Sequence, residues 1–192
     1  MIDAELTVPG LRYIAAYLTL EEQAALAAVI DEQPWLTDLK RRVQHYGYRY
    51  NYTGRTVDMS MFLGPLPTWA SRLAHQLHHD GYTPELPDQV IVNEYQPGQG
   101  ISSHIDCVPC FGDTILSISL LSACSMLFTH SRSQAQSSLC LEPGSLLAMQ
   151  GEARYAWKHS IPARKSDMYN DQKILRSRRL SLTFRTVIRS TA

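Results

Sequence analysis

His104-Ile105-Asp106 sets an imidazole and a carboxylate two residues apart. In an extended strand successive side chains alternate between faces, so these two would point the same way. Such a pair supplies two of the three ligands in a 2-His-1-carboxylate facial triad, which leaves open positions on a non-heme iron(II). A His-x-Asp pair alone is common, so its meaning depends on the rest of the chain. The third ligand of a triad is typically a histidine far downstream on a facing strand. His159, in Trp157-Lys158-His159-Ser160-Ile161-Pro162, lies 55 residues after His104, with room for several strands between. His130 competes for the role, but it abuts the polar run SRSQAQSS.

An iron that takes a bidentate 2-oxo acid also needs a partner for the far carboxylate. Arginine suits this, because its planar fork meets a carboxylate with two charge-assisted hydrogen bonds. Arg179 and Arg185, in RLSLTFR, are six apart, which places both on one face of a strand together with Ser181 and Thr183. Leu180, Leu182 and Phe184 occupy the other face and are expected to pack the core.

His104-x-Asp106, the distant His159 and the Arg179/Arg185 pair together resemble the AlkB family of iron(II)- and 2-oxoglutarate-dependent dioxygenases. Asn93-x-Tyr95, eleven and nine residues before His104, adds to the resemblance, which covers roughly residues 41–187. It implies a double-stranded β-helix, or jelly roll. It further implies iron on His104, Asp106 and His159, and 2-oxoglutarate held by Asn93, Tyr95, Arg179 and Arg185, with dioxygen as the second cosubstrate. Within the family, the stretches RRVQHYGY, NEYQPGQGISSHID, GDTILSISL and GEARYAWKHSI are similar to the dioxygenase domain of the animal homologue that hydroxylates a modified tRNA wobble uridine. The length is that expected of a compact stand-alone bacterial-type member. Two departures stand out. Val108 occupies the place where the founding repair enzyme has an acidic residue facing the damaged base, which points away from cationic methylated bases. Ser181 stands where the family's repair enzymes often carry Asn, a matter of cosubstrate positioning.

The elements that must position these residues are legible in outline. Thr19-Leu20-Glu21-Glu22 has the form of a capping box opening a helix that ends before Pro34. Trp69, Leu73 and Leu77 recur at helical spacing over 68–80, and Gly81 is expected to end that helix. His75, His78 and His79 read as surface histidines at its C-terminus, where positive charge is favourable. From Gln89 onward, short alternating segments separated by turn signals predict a β-rich core. The expected organisation is one domain of mainly β structure with flanking helices (α+β). Residues 1–87 would form an N-terminal extension and nucleotide lid, and 88–192 the jelly-roll core. The run 131–138 is expected to be an exposed flexible loop.

Tyr46, Tyr48, Tyr50 and Tyr52 alternate in HYGYRYNY, with Arg41, Arg42, Arg49 and Arg55 close by. On one strand face they would make a platform for stacking bases and meeting phosphates. The alternative is a half-buried strand whose aromatic face covers the core. Lys and Arg equal Asp and Glu at 18 each over the 192 residues, but residues 153–192 hold ten cations against two acids. That basic segment is either an anion-binding face, with Arg164 and Lys165 as phosphate contacts, or an ordinary solvated surface. Cys107-x-x-Cys110, Cys124 and Cys140 are expected to be reduced thiols, with structural zinc or a redox pair as lesser readings. The N-terminus carries no signal pattern and no apolar run is long enough to span a bilayer, so a cytoplasmic monomer is expected.

The leading functional expectation is oxidative dealkylation of alkylated bases in DNA or RNA. Hydroxylation of a modified tRNA wobble uridine is the nearest alternative. A protein side-chain hydroxylase or demethylase, and a non-catalytic cupin-like metal-binding module, follow behind.

Overall fold

The computed structural model describes residues 8–169 and 171–189. In chain order the elements are β1 (Leu11–Ile14), α1 (Leu20–Asp31), β2 (Val43–Tyr46), a short 3-10 turn (Met59–Met61), α2 (Thr68–His79), β3 (Gln89–Tyr95), β4 (Ile101–His104), β5 (Ile115–Leu120), β6 (Cys124–His130), β7 (Gln136–Leu141), β8 (Leu146–Met149), α3 (Gly151–Tyr155), β9 (Trp157–Ile161), β10 (Ser166–Tyr169), β11 (Gln172–Leu175) and β12 (Arg179–Arg185). A six-stranded sheet runs β1-β8-β5-β12-β3-β2, and a four-stranded sheet runs β4-β9-β6-β7. Every registered pair is antiparallel. This is the expected double-stranded β-helix, with β1 and β2 from the first half of the chain completing the large sheet.

The period of two sorts the large sheet into two faces. Val90, Val92, Leu116, Ile118, Leu180, Leu182 and Phe184 pack with Leu26, Ile30, Leu73 and Leu77 of α1 and α2. Tyr95, Ile115, Leu147 and Met149 point the other way, into a second core with Met126, Phe128, Trp157 and Ile161 of the small sheet. All positions of β3 and β5 are buried, as a strand covered on both faces requires. The polar residues Gln89, Asn93, Ser117, Ser119, Arg179, Ser181 and Arg185 all fall on the inner face, so the sandwich interior is half apolar and half chemical.

The helices form where expected. Thr19 accepts from the Glu22 amide and the Glu22 carboxylate accepts from the Thr19 amide, closing both halves of the capping box. α2 ends at His79 and exposes His75, His78 and His79, as predicted. One expectation fails, and one element was not among those expected. Residues 136–138 of the polar run are not loop. They pair with Thr129, Phe128 and Leu127, because an open β6 edge rewards pairing whatever the polarity of the incoming side chains. The β10–β11 hairpin was not foreseen. Its buried acid Asp167 is held by Arg164 and Arg176, a local ion pairing that follows no strand or helix period.

Candidate active site

β4 and β9 pair so that His104 stands directly opposite His159. Gly100 makes the approach possible, since a Cβ there would lie 2.1 Å from the Ile161 carbonyl oxygen. The two imidazole rings are 4.3 Å apart between centroids, and Asp106 closes the third side. One ligand atom from each of His104, Asp106 and His159 lies within 4.8 Å of the others, with room for a cation between them. The structure thus brings together the three residues the sequence singled out and leaves His130 on Ser133 and against Trp157.

The protonation states suit a cation. His104 Nδ1 lies 2.7 Å from the Ser102 carbonyl oxygen, which can only accept, so Nδ1 carries the proton and Nε2 presents a lone pair. Burial pushes His159 down to about 4, so it stays neutral at physiological pH. Burial alone would raise the Asp106 carboxyl, but the Arg185 charge beside it holds it far below the usual carboxylate range. One carboxylate and two imidazoles are the donor set of the iron(II) facial triad.

The inner face of β12 carries the second half of the site. Arg179 is 2% exposed and donates from Nη2 to Ser119 Oγ at 2.7 Å, while its Nε and Nη1 have no partner among the described residues. It lies over the Tyr95 ring at 5.5 Å. A buried guanidinium with two orphan donors is costly on its own, and a bidentate carboxylate ligand resolves the cost. The residues present therefore fit 2-oxoglutarate. Asn93 faces the same space, its Oδ1 accepting from Arg41 Nε at 2.8 Å. Arg185 turns toward the metal side, at 3.3 and 3.4 Å from the Asp106 carboxylate and 3.2 Å from Gln89 Oε1.

The triad, Asn93, Tyr95 and Arg185 line one cavity of about 650 Å³, of the size that holds small molecules, with Arg179 against the Tyr95 ring of its wall. Lys40, Arg41, Tyr50, Tyr52 and Arg55 stand among its walls, and Asp106 is its one acidic residue. Clefts of about 710 and 820 Å³ open elsewhere, beside residues 83–88 and between α1 and α2, but neither contains the triad.

The aromatic platform is only half present. Gly47 turns the chain at a φ of +76°, against the Asp88 carbonyl, so β2 stops at Tyr46 and the alternation ends with it. Tyr46 meets Trp69 of α2, and Tyr48 is buried against Phe62, so neither reaches the cavity. Tyr50 and Tyr52 do, stacked edge-on at 5.1 Å, with the Tyr52 hydroxyl buried and unpaired. Of the basic residues, Arg41 and Arg55 line the site. Arg42 instead grips Glu94 with two hydrogen bonds of 2.6 and 2.7 Å and lies over Trp35, and Arg49 is exposed beside Asp38. Arg164 is occupied by Asp167.

The cysteine expectation is also corrected. Cys107 and Cys110 are joined as a disulfide, while Cys124 and Cys140 are free and buried. Four residues that sequence reasoning passed over belong to the site. Ser119 and Gln89 share the inner faces of β5 and β3 and were readable from the same alternation as Arg179. His45 accepts from the Tyr50 amide and packs on Tyr52, shaping the wall. Arg154 binds the loop behind Asp106 and left no sequence signal beyond its place in GEARYAWKHSI.

Among known proteins, the model of the 2OG-Fe(II) oxygenase superfamily matches residues 10–185. An Arabidopsis thaliana protein named "Alkylated DNA repair protein ALKBH8 homolog" is 40% identical over 97% of this chain and 61% of its own length. The mimivirus protein L905 is 36% identical over 94% of this chain and 86% of its own. The mouse "tRNA (carboxymethyluridine(34)-5-O)-methyltransferase ALKBH8" is 39% identical over 83% of this chain, which spans only 25% of it. The solved structure of OsALKBH1 shares the fold, with a TM-score of 0.69 at 19% identity over 93% of this chain and 97% of that one. The chain belongs to the 2OG-Fe(II) oxygenase superfamily as an AlkB-type member, an oxidoreductase that uses iron(II), 2-oxoglutarate and dioxygen.

Proposed function

We propose that this enzyme hydroxylates an alkyl carbon on an extruded nucleobase of RNA, with a 5-substituted uridine of tRNA as the substrate class. The observation that carries the reading is the charge of the cavity wall. Lys40, Arg41, Arg55 and Arg185 line it, and its one acid, Asp106, belongs to the triad. A cationic N-alkyl base would meet like charge there, whereas a neutral or acidic uridine substituent would not. The mouse relative is named for carboxymethyluridine in tRNA, whose side group is an anion. The methyl transfer in that name is not chemistry for this site and is not carried over.

In this reading His104, Asp106 and His159 hold iron(II), and Arg179 takes the far carboxylate of 2-oxoglutarate with its two free donors. Asn93 and Tyr95 flank the cosubstrate. When bound, iron and 2-oxoglutarate couple oxidative decarboxylation to succinate with insertion of one oxygen atom into a substrate C–H bond. Arg185 keeps Asp106 ionised and aimed, and burial keeps the His159 lone pair free. An enzyme that works on a base must first unstack it. Tyr50 and Tyr52 offer the extruded base an aromatic wall, and the unpaired Tyr52 hydroxyl gives its polar edge a partner.

Dealkylation of a neutral N-alkyl adduct is the second reading, favoured by the Arabidopsis relative's name. The two differ in product. Enzyme, iron(II), 2-oxoglutarate and air would be incubated with total tRNA and with alkylated DNA, and digested nucleosides read by mass spectrometry. A uridine derivative that keeps one added oxygen supports the first reading. Aldehyde release with loss of the alkyl group supports the second. Oxidation of protein alone would sink both.

A further inference from the structure

Arg154 is a buried cation with no salt-bridge partner among the described residues. It is 2% exposed, and its four hydrogen bonds all end on main-chain carbonyls: Asp106 at 3.0 Å, and Cys107, Phe111 and Gly112 at 3.2 Å each. Its guanidinium also lies 4.9 Å from the Tyr155 ring. Burying a charge on carbonyl dipoles alone is a poor way to gain stability, since an apolar side chain of like volume avoids the desolvation. A planar fork that spans carbonyls from residue 106 to residue 112 does something an apolar residue cannot. It fixes the path of a loop.

That loop begins at a residue of the triad. Among the described residues the Asp106 carboxylate itself is held by Arg185, at 3.3 and 3.4 Å, both long contacts. The short, well-formed contact is on its main chain, from Arg154. Arg154 sits on α3, which leads directly into β9 and so into His159. One side chain therefore ties the backbone of one candidate ligand to the element that carries another. We infer that Arg154 is a positioning residue: by pinning residues 106–112 to α3, it sets where the Asp106 carboxylate stands relative to His104 and His159. The inference concerns the cation site and holds whatever the organic substrate.

The test uses Mn(II) as the probe, with full-length protein. Arg154→Lys keeps the charge but replaces the fork by a point donor that cannot span four carbonyls. It is expected to keep its circular dichroism spectrum while binding Mn(II) about 10- to 100-fold more weakly, the usual scale for a residue behind a ligand. The Co(II)-loaded variant is expected to show an altered visible absorption band, which a purely structural residue would not move. Tyr155→Phe, on the same helix as Arg154, removes the 2.6 Å bond from the Tyr155 hydroxyl to Asp113 and is the control; it should leave both readings unchanged. A folded Arg154→Lys protein with wild-type Mn(II) affinity and Co(II) spectrum would overturn the assignment. If the variant does not fold, hydrogen exchange on the wild type decides: Mn(II) should slow exchange in residues 106–112 and 151–155 together, and protection confined to the strands of His104 and His159 would refute it.

Discussion

Arg179→Met should move binding and stability in opposite directions. In the wild type, Arg179 leaves Nε and Nη1 unpaired in a site where it is 2% exposed. Hydrogen bonds to charged groups are worth roughly 1.5–3 kcal/mol each. Two of them on one carboxylate give about 3–4 kcal/mol, after allowance for non-additivity, so 2-oxoglutarate affinity should fall about 10²- to 10³-fold. The apo protein tells the reverse story. Methionine of similar length removes a buried charge whose only protein hydrogen bond is to Ser119 Oγ, so apo stability should hold or rise by about 1 kcal/mol. Calorimetric titration of 2-oxoglutarate into Mn(II)-loaded protein reads the first quantity and urea denaturation of metal-free protein the second. Mn(II) affinity without cosubstrate should not change, since Arg179 has no contact with the triad. A variant that binds 2-oxoglutarate within about threefold of wild type, or that loses apo stability by several kcal/mol, would refute the reasoning.

Other outcomes follow from the same geometry. His45 and His159 are both pushed by burial down to about 4. The unfolded chain protonates them near 6.5, so it binds more protons than the fold between those values; apo stability should be complete above about pH 6.5 and fall by roughly 2 kcal/mol per histidine by pH 5, read by denaturant midpoints. Stability that rises on acidification through this window would contradict their buried, neutral state. The Arg41→Glu/Arg55→Glu double variant should weaken tRNA binding and flatten its salt dependence, with fluorescence anisotropy as the measure, because two of the cations at the mouth are inverted; an unchanged salt slope would place the phosphate contacts elsewhere. Reduction of the Cys107–Cys110 disulfide should lower apo stability by about 2 kcal/mol, the scale for a short closed loop. Thermal unfolding with and without dithiothreitol should match that of Cys107→Ser/Cys110→Ser, and no shift on reduction would remove the bond from the account.

The strand-borne part of the site was legible because strand geometry is strictly periodic. Asn93 and Tyr95 share a strand, as do Arg179 and Arg185, and each pair is separated by an even number of residues; His104 and Asp106 have the same spacing, although β4 ends at His104 and Asp106 opens the loop after it. His159 needed the long-range pairing of β4 with β9, which spacing could accommodate but only the resemblance singled out. The tyrosine row shows where the logic ends. Its period of two is real, but Gly47 breaks the strand after its first tyrosine, and no counting along the chain reveals a φ of +76°. Arg42 was offered to phosphates because its partner, Glu94, is 52 residues away and adjacent only once β2 and β3 pair. Arg154 is the extreme case. Its partners are carbonyls, which every residue has, so nothing in their side chains could announce the contact.

The central claim, oxidation of a nucleobase substituent in RNA, is tested most directly by succinate formation. Anaerobically purified protein would receive iron(II), 2-oxoglutarate and air, with total tRNA, alkylated DNA, or no polymer, beside the Arg179→Met variant. The account predicts succinate that rises with tRNA, tracks the appearance of a uridine derivative with one added oxygen, and disappears in the variant. Succinate that rises with alkylated DNA and not with tRNA would contradict the RNA assignment, and succinate indifferent to either polymer would contradict the nucleic-acid reading as a whole.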